Sequence, residues 1–354
     1  MFTYGGEDGD VFSLEASAAA AVRNGSLKSA ELVLRSTISL GAISRSISDK
    51  NAFEKATKLI VGNMMASMYH RLEIQVIHGQ SSTGLGVLES ISGLGLKIED
   101  HEWAPGIWNG SKGAKIEIYD ATLVTNRGSA EITSVDYSLK KVFVDAVPGG
   151  TVATDVIFYK GAKGKEFLGI HEISQKSGTL FGIDNSVYDL FKGNVVNVGT
   201  NFTGGEAVLS FAKAEEGIAA AMDKGLAEEA YTLLVSTRSW NNLLTEQAAK
   251  RMYDSSYSSS QLDQGSKSLK FYGQNGEIEI MASTIVKEGY AHGFVKKDFA
   301  RIGSSDVTFQ IPGYDGEFFR LLNDSHGIEL RSYTDQALVC MRPATCVLFR
   351  YIKS

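Results

Sequence analysis

The strongest pattern of apolar and polar positions lies in residues 51–86. Apolar side chains recur there every three or four positions, at Phe53, Ala56, Ile60, Met64, Met68, Leu72 and Val76. This spacing is typical of a helix with one apolar face. Asn51 and Glu54 have the spacing of a capping box, and Gly79 is a candidate left-handed stop. The pattern therefore predicts one helix over 51–78, on the order of 40 Å long.

The segment before this helix has a weaker pattern. Between residues 27 and 47 the apolar positions fit a helix (Leu27, Ala30, Leu34, Ile38) or a strand (Leu32, Leu34), and we predict an extended arm with little structure of its own. Residues 1–15 carry four acidic side chains and no basic one, whereas the stretch to Ser48 carries four basic side chains and one acidic one. This polarity suits pairing with a neighbour's surface, and two solvated loops are the alternative.

After Gly113 the apolar period changes from about three and a half to two. Ile116 and Ile118 alternate with polar residues, as do Val142 and Val144, and the sequence Pro148–Gly150 indicates a turn. We predict a small antiparallel β unit over 113–165, inserted between the elements on either side.

The remaining segments mix helix and strand signals. We predict an alanine-rich helix from Glu206 to Lys224 that stops at Gly225, then a buried strand followed by a helix, and a mobile serine-rich loop from Ser255 to Ser268. Asn275-Gly276 predicts a hairpin. The tail reads as a strand, a turn at Pro343 and a second strand. This mixture predicts the α+β class.

Composition excludes several classes of protein. The chain has 354 residues, of which 43% are apolar, enough for a sizeable core and two or three subdomains. Its 35 basic and 41 acidic residues give a net charge of −6, without the basic excess of a tight nucleic-acid binder. The two cysteines, Cys340 and Cys346, are too few for a disulfide scaffold, and we expect both to be buried. Neither a signal peptide nor a membrane-length apolar run is visible, so we expect a soluble protein, intracellular when made.

No reactive constellation emerges from the motifs. His101-Glu102 and His171-Glu172 lack the second histidine of a zinc-binding pair, and the two cysteines are six apart instead of forming a CxxC. Gly84-Leu85-Gly86 lacks the third glycine of a dinucleotide loop, and we interpret it as a flexible joint. His78, at a helix end, is expected to bond a carbonyl or interact with the helix dipole.

The absence of these motifs predicts that the chain is not an enzyme and has no catalytic, cofactor-binding or metal-binding residues. The competing hypothesis is a hydrolase whose nucleophile, Ser81 or Cys340, has no recognisable motif. Ser81 fails the spacing of a nucleophile elbow because Thr83 replaces the closing glycine.

The order of segments along the chain resembles that of a known protein family. An arm precedes a long helix that ends in "RLEIQVIHGQSSTGLG", and a β unit, an alanine-rich helix, "LLVSTRSWNNLL" and "RSYTDQALVCMRPATCVLFRYI" follow. This order resembles the major capsid protein of tailed bacteriophages, with the Hong Kong 97-like fold, from about Lys28 to Ser354. The most specific parts are Leu72–Gly86 and the C-terminal Tyr333, Gln336, Ala337 and Pro343. The passage "HEWAPGIWNGSKG" also looks like the lead-in to an inserted β unit in such proteins.

The resemblance implies a division of the chain into five parts. These are an N-terminal arm and extended loop (1–50), a peripheral domain with a spine helix at 51–78 (51–112), the inserted β unit (113–165), an axial domain (166–280) and a return to peripheral and axial β structure (281–354). The arm would lap over a neighbouring subunit, and the serine-rich loop would crowd the five-fold or six-fold centre.

The same resemblance implies the function and the partners. Copies of the chain would form the pentamers and hexamers of an icosahedral shell that encloses double-stranded DNA and contacts it non-specifically. Scaffolding, portal and decoration proteins are further partners, and no membrane or cofactor is implied. The protein would belong to the virion and assemble in the host cytoplasm. An encapsulin-like shell around protein cargo and a phage tail or fibre component are the alternatives.

Overall fold

The structure, a computed structural model, describes residues 24–39, 50–227, 229–251, 268–273, 276–310, 319–322 and 327–353. Helices and strands are mixed along these residues, so the predicted α+β class is confirmed. The buried apolar side chains form three clusters, within a six-stranded sheet and its helices, within a closed barrel, and between the longest helix and a sheet that contains the arm.

The longest helix, α1, spans Lys50–His78 and confirms the predicted helix. At 1.5 Å per residue its 29 residues extend about 43 Å. It begins one residue before Asn51, and the side chains of 51–57 lie outside the described part of the chain, as does the capping box. From residue 58 onward the first buried side chain is Met64. Among the described side chains of α1, those that pack into the core therefore begin at Met64.

The helix does not stop at a left-handed glycine as predicted. Gln80, not Gly79, has the positive φ, at 53°. Gly79 is required for a different reason, because a Cβ atom there would lie 2.2 Å from the carbonyl oxygen of Phe167. The backbone N–H of Gly169 donates to the carbonyl of Gly79 at 2.9 Å. Glycine thus allows residues 167–169 to approach the helix end closely.

A closed six-stranded barrel follows the helix. Its strands are β2 (Gly86–Ser92), β3 (Gly95–Ile98), β4 (Lys115–Tyr119), β5 (Asn126–Asp136), β6 (Lys141–Val144) and β7 (Val156–Tyr159), closed in the order β2-β3-β6-β5-β4-β7. A one-turn helix, α2 (Pro105–Trp108), packs its fully buried Trp108 into the barrel core. Side chains at alternate strand positions, such as Ile116 and Ile118, fill the interior.

The predicted antiparallel β unit is present, but a start at residue 113 is too late. The hairpin of β2 and β3 closes the barrel, and our division of the chain leaves it in the preceding segment. The strands β2 and β3 precede α2 and pair with strands that follow it, and such distant pairing cannot be read from the alternation of apolar and polar residues. The period of two at 113–159 therefore revealed only part of the unit.

The strands of the six-stranded sheet are β10 (Asn194–Asn197), β11 (Tyr231–Val235), β12 (Ser268–Gly273), β13 (Gly276–Ala282), β14 (Tyr290–Phe294) and β18 (Val347–Arg350). Their order in the sheet is β10-β18-β14-β11-β13-β12. The predicted hairpin at Asn275-Gly276 is confirmed by the antiparallel pairing of β12 with β13.

Two helices lie in sequence before and after β11. The alanine-rich helix, α4, spans Phe211–Met222 and begins five residues later than predicted, because Ser210 caps it by accepting a hydrogen bond from the N–H of Lys213 at 3.3 Å. Helix α5 spans Thr237–Arg251 and follows β11 as predicted.

The third sheet joins the two ends of the described chain. Strand β1 (Ala30–Ser39) pairs antiparallel with β17 (Gly327–Cys340) over ten residues, and β15 (Phe299–Thr308) and β16 (Phe319–Leu321) pair with the other edge of β17. The arm is thus extended as predicted, but its structure is a regular strand whose partner lies almost 300 residues away. Helix α3 (Ile170–Gln175) and the short strands β8 (Thr179–Leu180) and β9 (Ile183–Asp184) lie between the barrel and β10 in sequence.

The tail is confirmed as strand, turn and strand. A single 3-10 turn at Pro343–Thr345 separates β17 from β18. The serine-rich loop lies outside the described residues except for Ser268, which begins β12.

Candidate assembly surface

The arm strand β1 forms an edge of its sheet. It pairs with β17 on one side, and its other edge has no strand partner among the described residues. Its side chains alternate: Glu31, Val33 and Arg35 are exposed, whereas Leu32 and Leu34 are half-buried against the third core cluster. A ten-residue edge that pairs with no other described strand is a surface on which another chain can add a strand.

An ionic contact holds β1 against β17. The Nε of Arg35 donates to Oε2 of Glu329 at 2.9 Å, and Arg331 bonds the other oxygen of the same carboxylate. Burial alone would raise the pKa of Glu329, but the hydrogen bonds from both arginines outweigh it and lower that pKa. The carboxylate therefore remains charged, and this buried side chain links β1 to β17 through the exposed Arg35.

The amino-terminal half of α1 carries apolar side chains that do not enter the core. Leu59 is 65% exposed, and Ile60 and Val61 are only half-buried. Among the described side chains of the helix, none from residue 58 to residue 63 is buried, a stretch of about 9 Å. A helix segment without tertiary packing is only marginally stable in water, so this half calls for a packing partner.

A buried ion pair lies near the carboxyl end of α1. Lys287 Nζ is 2.6 Å from Oε2 of Glu102, and the two side chains are 0% and 1% exposed. Tyr290 donates its hydroxyl to the other carboxylate oxygen at 2.9 Å. The ammonium also donates to Thr83 Oγ1 at 2.8 Å and to the carbonyl of Gly84 at 2.9 Å. Together these bonds tie the loop after α1 to the segments that flank α2 and β14.

Three buried histidines form a cluster beside this ion pair. The ring centre of His171 lies 5.9 Å from that of His78 and 5.4 Å from that of His292. The ring centres of His78 and His292 are 6.5 Å apart. The Nε2 of His78 lies 2.8 Å from the carbonyl oxygen of Ile285, a hydrogen bond of the kind expected at a helix end but to another segment of the chain. Both nitrogens of His292 lack a hydrogen-bond partner in the structure.

Burial sets the charge of this cluster. It lowers the pKa of each of the three imidazoles, and the nearby cation of Lys287 lowers them further. The pKa of His292 falls to about 3. The three rings are therefore neutral at pH 7, and the cluster is a closed part of the core.

Neither candidate nucleophile reaches solvent. Ser81 is 2% exposed, and its Oγ lies 3.2 Å from Thr83 Oγ1. Cys340 is 1% exposed, with its sulfur 3.6 Å from that of Cys346, and both thiols are free. The hydrogen bond from Cys340, together with burial, raises the pKa of the Cys346 thiol. Both cysteines are buried, as the sequence predicted.

The glycine pair at Gly84 and Gly86 is a packed segment and not a flexible joint. Gly84 has a φ of +48°, and a Cβ atom there would lie 2.4 Å from the carbonyl oxygen of Ile157. Within the described ranges, no group of three or more histidine, cysteine, aspartate or glutamate side chains has the arrangement of a metal site. Among the same residues, no helix is both long enough and apolar enough to span a bilayer.

Sequence reasoning missed the meeting of Glu102, Lys287 and Tyr290. These residues are separated by up to 188 positions, and each lies in a segment with no motif. A lysine followed three residues later by a tyrosine at the start of an apolar strand is the only local signal, and it is too common to identify a buried pair.

Comparison with known proteins gives matches in structure only. No protein-family model matches the chain, and no curated protein matches it. The cyanophage A-1(L) capsid aligns at a TM-score of 0.40 and 13% identity, over 55% of this chain and 62% of that chain, so this chain spans less than two thirds of that protein. The procapsid of satellite phage P4, which includes a size-determination protein, aligns at 0.42 and 6% identity, over 99% and 79%. The holo-SrpI encapsulin of Synechococcus elongatus PCC 7942 aligns at 0.28 and 10% identity, over 45% and 53%. The chain is thus similar in structure to phage capsid proteins, at low sequence identity.

Proposed function

We propose that this chain is the major capsid protein of a tailed bacteriophage, with the Hong Kong 97-like fold. Copies of it assemble into the pentamers and hexamers of an icosahedral shell that encloses double-stranded DNA. Shells built from one chain need head-to-tail contacts that close into rings, and the chain must supply both halves of every contact.

The half-exposed helix α1 is the observation that carries the proposal. None of its side chains from residue 58, the first that is described, to residue 63 is buried, and Leu59 presents most of its surface to solvent. A monomer gains little from holding such a segment in water, since the segment adds conformational order and buries little apolar area. Packing of this half against a neighbouring copy supplies the missing burial.

The arm strand supports the same function. β1 brings an open edge and the exposed Val33 to the surface beside α1. Permanent assemblies bury on the order of 2,000 Å² or more per interface. A strand and a helix that extend beyond the core provide such area without a larger core.

The charge of the chain suits a container of DNA. At a net charge of −6 it does not attract the duplex strongly, and a strongly basic lining would immobilise the packaged DNA. Contacts with DNA in this proposal are therefore weak and non-specific. Scaffolding, portal and decoration proteins complete the set of partners, and the mature location is the virion.

The proposal keeps the division of the chain into arm (1–50), peripheral domain (51–112), inserted unit (113–165), axial domain (166–280) and return segment (281–354). One boundary moves, because the hairpin of Gly86–Ser92 and Gly95–Ile98 belongs to the barrel of the inserted unit.

Electron microscopy of the purified full chain, together with light scattering, tests the proposal. We expect closed icosahedral particles of uniform diameter. Trimers, tubes or a persistent monomer would contradict it, and tubes or trimers would favour a tail or fibre component.

The cargo separates a capsid from an encapsulin-like shell. Particles isolated from an infected or induced host are treated with nuclease and then opened, and their contents are analysed. We expect protected double-stranded DNA. Particles filled with one folded enzyme and free of DNA would assign the chain to the encapsulin-like class.

A further inference from the structure

The two cysteines of the chain meet at the junction of two sheets. Cys340 is the last residue of β17, in the sheet that contains the arm, and Cys346 directly precedes β18, in the six-stranded sheet. Their sulfur atoms lie 3.6 Å apart, and both side chains belong to the same buried apolar cluster. Packing as small apolar side chains does not require the two sulfurs to face each other. They are the only cysteines of the sequence, so each has just one possible thiol partner within the chain.

A small movement brings the two sulfurs to bonding distance. An S–S bond is about 2.05 Å long, so the sulfurs of Cys340 and Cys346 need to approach by roughly 1.5 Å. Partial rotation about the two Cα–Cβ bonds supplies a displacement of this size. We therefore expect the bond to form while β17 and β18 keep their pairing with β15 and β14.

The turn between the cysteines is held in place by polar contacts. The N–H of Met341 donates to the carbonyl of Asp298 at 2.8 Å, and Nε of Arg342 donates to Oδ1 of Asp298 at 2.8 Å. The other carboxylate oxygen accepts from Thr345 Oγ1, also at 2.8 Å. The hydroxyl of Tyr231 donates to the carbonyl of Thr345 at 3.2 Å. These bonds fix both ends of the turn, so the thiols remain neighbours at a high effective concentration.

The thiols lie beneath a surface turn. Cys340 and Cys346 are 1% and 0% exposed, whereas Met341, which follows Cys340 in the turn, is 59% exposed. A small uncharged oxidant such as hydrogen peroxide enters a buried site more readily than a protein oxidoreductase does. The hydrogen bond with Cys340, and then burial, raise the pKa of the Cys346 thiol, so Cys346 keeps its proton and Cys340 is the first nucleophile. Burial makes the reaction slow, and it makes the product equally slow to be reduced.

The contact between the sulfurs defines the steps of an oxidation. The thiolate of Cys340 attacks one oxygen of hydrogen peroxide, the O–O bond breaks, and the hydroxide that leaves takes up the proton of the Cys340 thiol to form water. The sulfur of Cys346 then attacks the resulting sulfenic acid. An S–S bond forms, the S–O bond breaks, and the hydroxyl leaves with the proton of Cys346 as a second water. The two thiols together lose two electrons, and one peroxide is reduced to two waters.

We propose that Cys340 and Cys346 form a redox modification site, at which an oxidant of the peroxide class closes a disulfide between the end of β17 and the start of β18. The thiols stay reduced while the chain is in a reducing cytoplasm, and the bond forms after the chain leaves the cell. The inference rests on the proposed function only for this timing, since a shell protein is made in the cytoplasm and then released. The bond ties the sheet that contains the arm to the six-stranded sheet.

Thiol counting in the full-length chain tests the site. The chain is purified under a thiol reductant, freed of it, treated with hydrogen peroxide, denatured in N-ethylmaleimide and analysed by mass spectrometry. We expect the reduced chain to take up two labels and the oxidised chain none, with Cys340 and Cys346 joined in the peptide map. Dithiothreitol should restore both labels. Two labels after peroxide, or oxidised thiols that are not joined to each other within one chain, would overturn the site.

C340A and C346A are the matched controls, since each keeps one buried thiol and neither can close the bond. Peroxide should raise the midpoint of thermal unfolding of the native sequence by about 3 °C, because the bond closes a loop of seven residues in the unfolded chain. Dithiothreitol should reverse the shift, and neither variant should show it. The comparison of oxidised with reduced native chain remains valid even where a variant folds poorly. Equal midpoints of the two forms, or the same rise in a variant, would overturn the stabilising role of the bond.

Particles from cells test the timing and keep this inference distinct from the proposed function. N-ethylmaleimide added at lysis should label both thiols, and particles treated with peroxide before labelling should take up none. A disulfide already present at lysis would overturn the timing. Closed shells whose cysteines stay reduced in peroxide would overturn the site and leave the capsid function standing. A disulfide in a chain that forms no shells would retain the site and contradict the capsid function.

Discussion

At the scale of single residues, the pair of Glu102 and Lys287 offers the sharpest test. The variant E102Q leaves the ammonium of Lys287 buried without its counter-charge, and breaking such a pair costs about 3 to 5 kcal/mol. We therefore expect E102Q to lower the free energy of unfolding by that amount in denaturant titrations of the unassembled chain.

A surface pair provides the control for this variant. Glu89 is 2.7 Å from Lys97, with its side chain 43% exposed, and exposed pairs contribute at most about 1 kcal/mol. E89Q should therefore have little effect. Equal losses of unfolding free energy for E89Q and E102Q would contradict a larger contribution from the buried pair of Glu102 and Lys287.

The histidine cluster predicts a loss of stability in acid. The folded-state pKa values of His78, His171 and His292 lie below the unfolded value of about 6.5, so below that pH the unfolded chain binds protons that the folded chain does not. Stability is therefore unaffected by these groups above pH 7 and falls as the pH drops below about 6.5. Each histidine contributes a slope of about 1.4 kcal/mol per pH unit.

His292 is the member to replace, since neither of its nitrogens has a hydrogen bond to lose. H292F should lower the slope of unfolding free energy against pH by about 1.4 kcal/mol per unit between pH 6 and 4. Measurements at pH 8, where the ring is neutral in both states, control for changes in packing. A slope that matches the wild type would show that this histidine does not titrate on unfolding.

At the scale of elements, one glycine within α1 and one directly after it have opposite roles. A Cβ atom at Gly79 would lie 2.2 Å from the carbonyl oxygen of Phe167, whereas one at Gly62, within α1, meets nothing within 4 Å. G79A should lower the free energy of unfolding by about 2 kcal/mol or more, since the backbone at 167–169 must move. G62A should raise it by about 0.5 to 1 kcal/mol, because alanine favours a helix over glycine. Thermal unfolding of the two variants measures both signs, and similar shifts for both would contradict this account of the helix end.

Elements with a local signal were predictable from the sequence. The helix at 51–78, the hairpin at Asn275-Gly276 and the strand and helix after Tyr231 follow from period and turn chemistry alone. The pairing of Ala30 with Gln336 does not, because a strand's partner is chosen by tertiary packing and not by neighbours in sequence. The buried cluster around Lys287 was invisible for the same reason.

At the scale of the whole molecule, the exposed Leu59 of α1 offers a test of the proposed assembly. L59D places a charge on a side chain that is 65% exposed in the single chain, so its folding stability should change by less than about 0.5 kcal/mol. In a shell the same charge would be buried against a neighbour. We expect normal unfolding of the unassembled chain and at least a tenfold loss of particles counted by electron microscopy.

V124D is the matched control, since Val124 is 81% exposed in the loop between β4 and β5. It should leave the yield of particles unchanged. Normal particles from L59D would remove the main support for the proposed function.

The pairing of β1 with β17 also sets the order of events during synthesis. Arg35 and Glu329 are 294 positions apart, so at 5 to 20 residues per second the ribosome takes roughly 15 to 60 s to make the second after the first. Until then the arm has no strand to join, and a prematurely terminated chain never acquires one. Protease should therefore cut residues 30–39 in stalled nascent chains that lack β17 and spare them in released chains. Translation through β17 thus becomes the checkpoint at which the sheet that contains the arm can be completed.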